Sequence, residues 1–157
     1  MAENTVYLDL GTFEDGKALR GGALVVDPST EPLEFRCTDA VRPTNLQRVL
    51  WGKRLDGHIA VNLMAVPLLR AITQKYSLVV AQGAQFSELR ACWETPVVVL
   101  VRGSAVEFAN PPGAAPDGPH EGKANPEDVP ELPITNTAGR FEPIIIRCHP
   151  RHPEDME

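Results

Sequence analysis

The sequence predicts an α/β domain on a mixed sheet, with three antiparallel strands followed by α-β-α-β. Three observations carry this: turn-forming links between the first three apolar segments, a helical period beyond them, and two later apolar runs without alternation. Short links join antiparallel neighbours, whereas strands apolar on both faces are typical of parallel central strands covered by helices.

The first three segments read as strands at Thr5–Leu10, Gly22–Asp27 and Pro32–Thr38. FEDGK and PSTE between them have turn chemistry. In the third, Leu33, Phe35 and Cys37 alternate with Glu34, Arg36 and Thr38, so the apolar set is expected on the core and Glu34 on a wet face. Gly21-Gly22 predicts a bulge or a close backbone approach. Neither a GxxxxGK[ST] nor a GxGxxG phosphate loop occurs.

Pro43 and Thr44 open a helical region, Asn45 to Thr73, in which Leu55, Ile59, Leu63, Val66, Leu69 and Ile72 recur at three- and four-residue steps. Gly52 and Gly57 weaken it, Asp56 is placed to cap a second segment, and Pro67 removes an interior N–H. Two successive helices or one bent helix are therefore expected. SLVVAQ (77–82) and PVVVLV (96–101) are the unalternating strands, and SELRACW (87–93) between them reads as a short helix.

Residues 1–103 form the predicted core and balance 11 basic against 11 acidic residues, whereas 104–157 hold 4 basic and 10 acidic, so the net charge of −6 belongs to the C-terminal part. Segment 104–139 holds seven of the fifteen prolines and few large apolar residues, which predicts a flexible acidic linker. Segment 140–157 returns a strand at Pro143–Cys148, expected on the same sheet or on a neighbouring chain, and ends in a polar tail.

No apolar run reaches the roughly 18 residues of a membrane span, and the N-terminus lacks a basic stretch followed by an apolar one. A soluble, cytoplasmic protein is expected. The three cysteines, Cys37, Cys92 and Cys148, are far apart and read as reduced, mostly buried thiols. None has a signature of activation, and there is no GxSxG elbow.

The run ALVVD, PLEFRCT, a helix and LLRAITQKYSLVVAQG, together with the order of elements, resembles the ribonuclease H-like superfamily and is most similar to its endonuclease V branch, over residues 5–102. The resemblance implies hydrolysis of phosphodiester bonds by two Mg²⁺ ions held in a cluster of carboxylates. It matches Asp9 to the first-strand acid. A second acid is expected at the end of the strand after the helix, where Ala81-Gln82-Gly83 stands, and a third on the inward side of the helix, where Asp56 and Asn62 are the candidates. Asp27, Glu34 and Asp39 remain as substitutes, although Asp27 sits in a turn. Gln82 carries no charge, so the constellation is incomplete and Asp9 reads as a structural or relic carboxylate.

Two further constellations remain. RPTNLQRVLWGKR (42–54) carries Arg42, Arg48, Lys53 and Arg54 with no acid, and Trp51 adds a ring on which a base stacks. A solvated helix face with Trp51 on the core or an interface is the competing reading. In CHPRHPED, Cys148, His149, His152 and Asp155 stand close enough to share a zinc ion, yet structural zinc takes ligands from two separated pairs, so His149 and His152 compete with a plain solvated tail.

The sequence thus supports a non-catalytic ribonuclease H-like subunit, a scaffold or binding partner in a nucleic-acid-processing assembly, with a protein partner, no cofactor, and nucleic acid contacted through residues 42–54. One alternative is a nuclease using Mg²⁺ or Mn²⁺ with carboxylates from Asp9, Asp27, Glu34 or Asp56. Another is a small protein-binding regulatory module. An oligomer is compatible with each.

Overall fold

The computed structural model describes residues 3–102, 129–134 and 142–157. One mixed sheet runs β3-β2-β1-β4-β5-β7-β6. Its strands are β1 (Thr5–Phe13), β2 (Ala18–Val26), β3 (Pro32–Cys37), β4 (Leu78–Gln82), β5 (Val97–Arg102), β6 (Glu131–Ile134) and β7 (Ile144–Cys148). β1, β2 and β3 form the expected antiparallel meander. β4 lies parallel to β1, and β5 parallel to β4.

Thr44 begins α1 (Asn45–Trp51) with a capping box, its hydroxyl accepting from the Gln47 N–H while the Gln47 side chain accepts from the Thr44 N–H. Gly52, at φ 52°, ends the helix in a conformation that favours glycine. α2 (Arg54–His58) continues through a π-helical segment, Ile59–Ala65, into α3 (Val66–Ala71). Asp56 is not the expected cap: Lys53 holds that position, and Asp56 lies inside the first turn of α2.

The π-helical segment displaces the expected stripe. The Val66 N–H donates to the Val61 carbonyl, five residues back instead of four, so the buried face drifts around the axis. Leu63, expected inside, is exposed, while Val61, Met64 and Leu68 are buried. Pro67 falls in the first turn of α3, where its missing N–H costs little.

The helical layer covers one face of the sheet. Val6 and Leu8 of β1, Ala23 and Val25 of β2, Val79 and Ala81 of β4, and Val97, Val99 and Val101 of β5 pack with Ala60, Val61, Leu68 and Leu69. Gly21 permits the close approach its sequence suggested, since a Cβ there would lie 2.9 Å from the Met64 Cβ. The irregularity in the β2–β3 pairing falls instead at Val25/Val26.

Three expectations are corrected. SELRACW is not one helix: the β4–β5 link forms two 3₁₀ turns, Ala84–Phe86 and Leu89–Ala91, whose buried Phe86 and Leu89 anchor it where a longer helix has no residues to nucleate. β3 faces the other way, with Leu33 44% and Phe35 64% exposed and Glu34 turned to the helical layer. Pairing explains this, because Glu34 stands opposite the fully buried Val25, and Phe35 opposite Leu24. Finally, Cys37 and Cys92 are exposed and only Cys148 is buried, all three as free thiols.

At the C-terminal end, β7 joins the protein's own sheet, antiparallel to β5. Within the expected linker, Glu131–Ile134 forms β6 against β7. The flexibility expected of 104–139 otherwise falls outside the described residues. A last 3₁₀ turn, Pro153–Met156, brings Asp155 to Arg90 and the start of β5. Among the described residues, no helix is long and apolar enough to cross a membrane.

Candidate functional site

Parallel strands leave a crevice beyond their C-terminal ends. Here β1 and β4 make such a cleft, of about 650 Å³. Leu10 and Thr12 line it from β1, Arg48 from α1, Lys53, Asp56 and Gly57 from the start of α2, and Gln85, Ser87 and Glu88 from the link after β4. Two cations and two carboxylates therefore share its wall. Arg48 reaches across from α1 to donate to the Gly16 carbonyl at 3.0 Å. Gly83 turns the chain out of β4 beneath the Gln85 amide at φ 108°, a conformation that favours glycine.

Of the four catalytic candidates only Asp56 reaches this cleft. Asp9 alternates with Leu8 and Leu10, which face the helices, and so projects from the opposite face of the sheet. Its Oδ1 accepts from the Leu10 N–H at 2.8 Å. Gln82 follows the core-facing Ala81 and belongs by the same alternation to the Asp9 side. Asp27 closes the β2–β3 turn, its Oδ1 accepting from the Ser29 and Glu31 N–H groups at 2.8 and 2.9 Å.

Glu34 ties β3 to the segment after α3. One oxygen pairs with Arg36 at 2.7 Å, and the other accepts from the Thr73 N–H, the Thr73 hydroxyl and the Gln74 N–H. Burial opposes its ionisation, but these donors prevail and hold the carboxyl pKa down to about 2. Asn62, the other helix candidate, is exposed and hydrogen-bonds His58 at 3.1 Å. Among the described residues no three His, Cys, Asp or Glu side chains stand together as a metal-binding group.

The basic patch divides in the fold. Arg42 is paired with Glu14 at 2.6 Å on the surface, which also lowers the Glu14 pKa. Arg48 and Lys53 enter the cleft, and Arg54 is exposed. Trp51 packs against His58, with the rings tilted by 38° and their centroids 4.6 Å apart.

The terminal constellation does not converge. Cys148 is buried in β7, and burial raises its thiol pKa. Asp155 is held by Arg90 and the Val97 N–H, His152 bonds Glu154, and the rings of His149 and His152 are 5.7 Å apart.

Sequence reasoning missed Thr12, Gln85, Ser87 and Glu88. Their signal was positional: Thr12 lies in β1 beyond its pairing with β4, and Gln85, Ser87 and Glu88 follow the end of β4, a neighbour relation absent from the linear order.

Solved structures share the fold. Endonuclease V from Streptomyces avermitilis superposes with a TM-score of 0.54 at 11% identity over 94% of this chain and 66% of its own. The Bacillus subtilis Endonuclease V gives 0.53 at 12% identity, over 94% and 65%. The chain has a ribonuclease H-like fold. It spans just under two thirds of the length of either endonuclease V. No family model matches the chain, and no curated protein does. Within the ribonuclease H-like frame, the cleft lies at the ends of parallel β1 and β4, and Asp9 on the far side of the sheet.

Proposed function

We propose that this chain is a non-catalytic ribonuclease H-like subunit that binds a protein partner within a cytoplasmic nucleic-acid-processing assembly. The observation that carries the reading is α1. This helix is capped at both ends yet has no buried residue, and its Leu46, Val49 and Leu50 are 66%, 80% and 71% exposed. Large apolar side chains grouped on a surface mark an interaction site, and the i, i+3, i+4 spacing is that of a helix that lies in a partner's groove. Arg48 and Lys53 beside it supply a cationic rim facing the cleft, suited to phosphates close to the partner.

The carboxylates support the same reading. Two-metal hydrolysis needs several acids converging on the ions. Here Asp56 and Glu88 line the cleft, while Asp9, Asp27 and Glu34 lie elsewhere with separate structural roles or on the other face. A second reading, a Mg²⁺- or Mn²⁺-dependent nuclease, draws on Asp56 and Glu88 sharing the cleft with two cations.

The test uses the purified 157-residue chain with Mn²⁺ and labelled DNA and RNA, beside Asp56→Asn and Glu88→Gln. The expected result is no cleavage by any of them; in the cell, a photoreactive residue at position 49 should crosslink the chain to a protein partner, and Leu46→Glu should abolish that crosslink. Cleavage by the unaltered chain that disappears in Asp56→Asn establishes the nuclease instead.

A further inference from the structure

The face of the sheet opposite the helices carries its own pattern. Tyr7, Phe13 and Phe35 are 43%, 54% and 64% exposed, and with Leu24 they surround a groove of about 390 Å³. Its floor is glycine: the Phe13 ring leans over Gly11, and the Phe35 ring over Gly22. Asp9 and Arg20 both open into this groove, and among the described residues neither has an ion-pair partner. Their strands are adjacent and antiparallel, with Asp9 opposite Gly22 and Arg20 opposite Gly11, so acid and base lie diagonally a short step apart on one face.

We propose that this face is the interface of a two-fold symmetric dimer of the chain. A two-fold axis apposes a patch to its own copy, so that residue i meets j and j meets i. An apolar face holding one acid and one base, offset from each other, is complementary in charge to itself turned through 180°: Asp9 of each copy meets Arg20 of the other. The glycine floor lets the Phe13 and Phe35 rings of each copy lie flat along the sheet, exposed to the second copy, and burial of such rings is the main apolar gain at an interface. Nucleic acid is the poorer occupant, since a single arginine countered by an aspartate offers no net attraction for a phosphate backbone. The strand pattern agrees with a covered face, because β3 places its Leu33 and Phe35 here and not against the helices.

Sedimentation of the full chain at about 50 µM, above the micromolar Kd that an interface of standard size readily sustains, should give twice the 17.1 kDa chain mass. Asp9→Arg and Arg20→Asp should each run at the single-chain mass, because like charges then face each other twice and weaken association by more than about a hundredfold. An equimolar mixture of these two variants should recover the doubled mass, since both contacts become attractive again, and so should the double variant. Phe35→Glu provides a check that leaves Asp9 and Arg20 in place and should also be monomeric, with an unchanged circular dichroism spectrum. A single-chain mass for the unaltered protein overturns the proposal. So does a dimer that survives all three single substitutions, or charge-reversed variants that stay folded but fail to recover on mixing.

Discussion

Glu34 Oε2 accepts hydrogen bonds of 2.9 Å from both the backbone N–H and the hydroxyl of Thr73. With a third from the Gln74 N–H, one carboxylate oxygen joins β3 to the chain emerging from α3. The residue that sequence alternation places toward water thus fastens the helical layer to an edge strand.

A pH dependence follows. The folded-state pKa of Glu34 is about 2 against an ordinary 4.5, so its stabilisation is complete above about 4.5 and is lost as pH falls toward about 2. Thermal midpoints of the natural chain and Glu34→Gln should differ by a constant amount at neutral pH and converge through that acid window. A gap undiminished at the acid end would mean that the ionised carboxylate is not the cause.

The tail is fastened by a second carboxylate. Asp155 Oδ2 lies 2.6 Å from Arg90 Nε and 3.1 Å from the Val97 N–H, with only 1% of the Asp155 side chain exposed. Removing one member of a buried pair leaves its partner's charge unmatched and costs about 3–5 kcal/mol. Asp155→Ala should lower the free energy of unfolding in urea by that order and increase amide exchange at the start of β5.

Gly21→Ala should destabilise by about 1–3 kcal/mol, the usual cost of forcing extra volume into a packed core. The added carbon would meet Met64 Cβ at 2.9 Å and Leu68 Cδ1 at 3.3 Å, and the first of these is close to the helix backbone and cannot swing away. Gly22→Ala, whose Cβ would have ordinary 3.6 Å contact with the Phe35 ring, is the control and should cost less. Denaturant midpoints compare the two directly.

Val49→Glu and Leu50→Glu should change stability by no more than about 0.5 kcal/mol, as substitutions at exposed sites do. Both side chains are over 70% exposed, so folding gains little from them. Partner crosslinking should nevertheless fall in each. A large drop in stability would show that α1 serves folding instead.

Much of the fold was legible in the sequence because it rests on local chemistry. FEDGK and PSTE turn the chain back on itself, which sets the β1–β2–β3 meander, and the unalternating SLVVAQ and PVVVLV require cover on both faces. The site was less legible. Asp9 was recognisable as an acid within an apolar strand, but which face of the sheet it takes is seen only from the packing of Leu8 and Leu10 on the core. What no local pattern states is that Asp56 would lie across the sheet from it, with Glu88 at Asp56's side of the cleft.

The amino-acid order alone determined the strands of the meander, the helical stretch and the later apolar strands, since period, turn residues and side-chain branching act over a few neighbours. Only the tertiary structure decided which side of β3 meets the helices, where Glu34 finds its donors, and that Asp9, Asp27, Glu34 and Asp56 do not gather. Alternation establishes which residues share a face, but the face that is covered is chosen by long-range register and by where Met64 and Leu68 settle against Gly21.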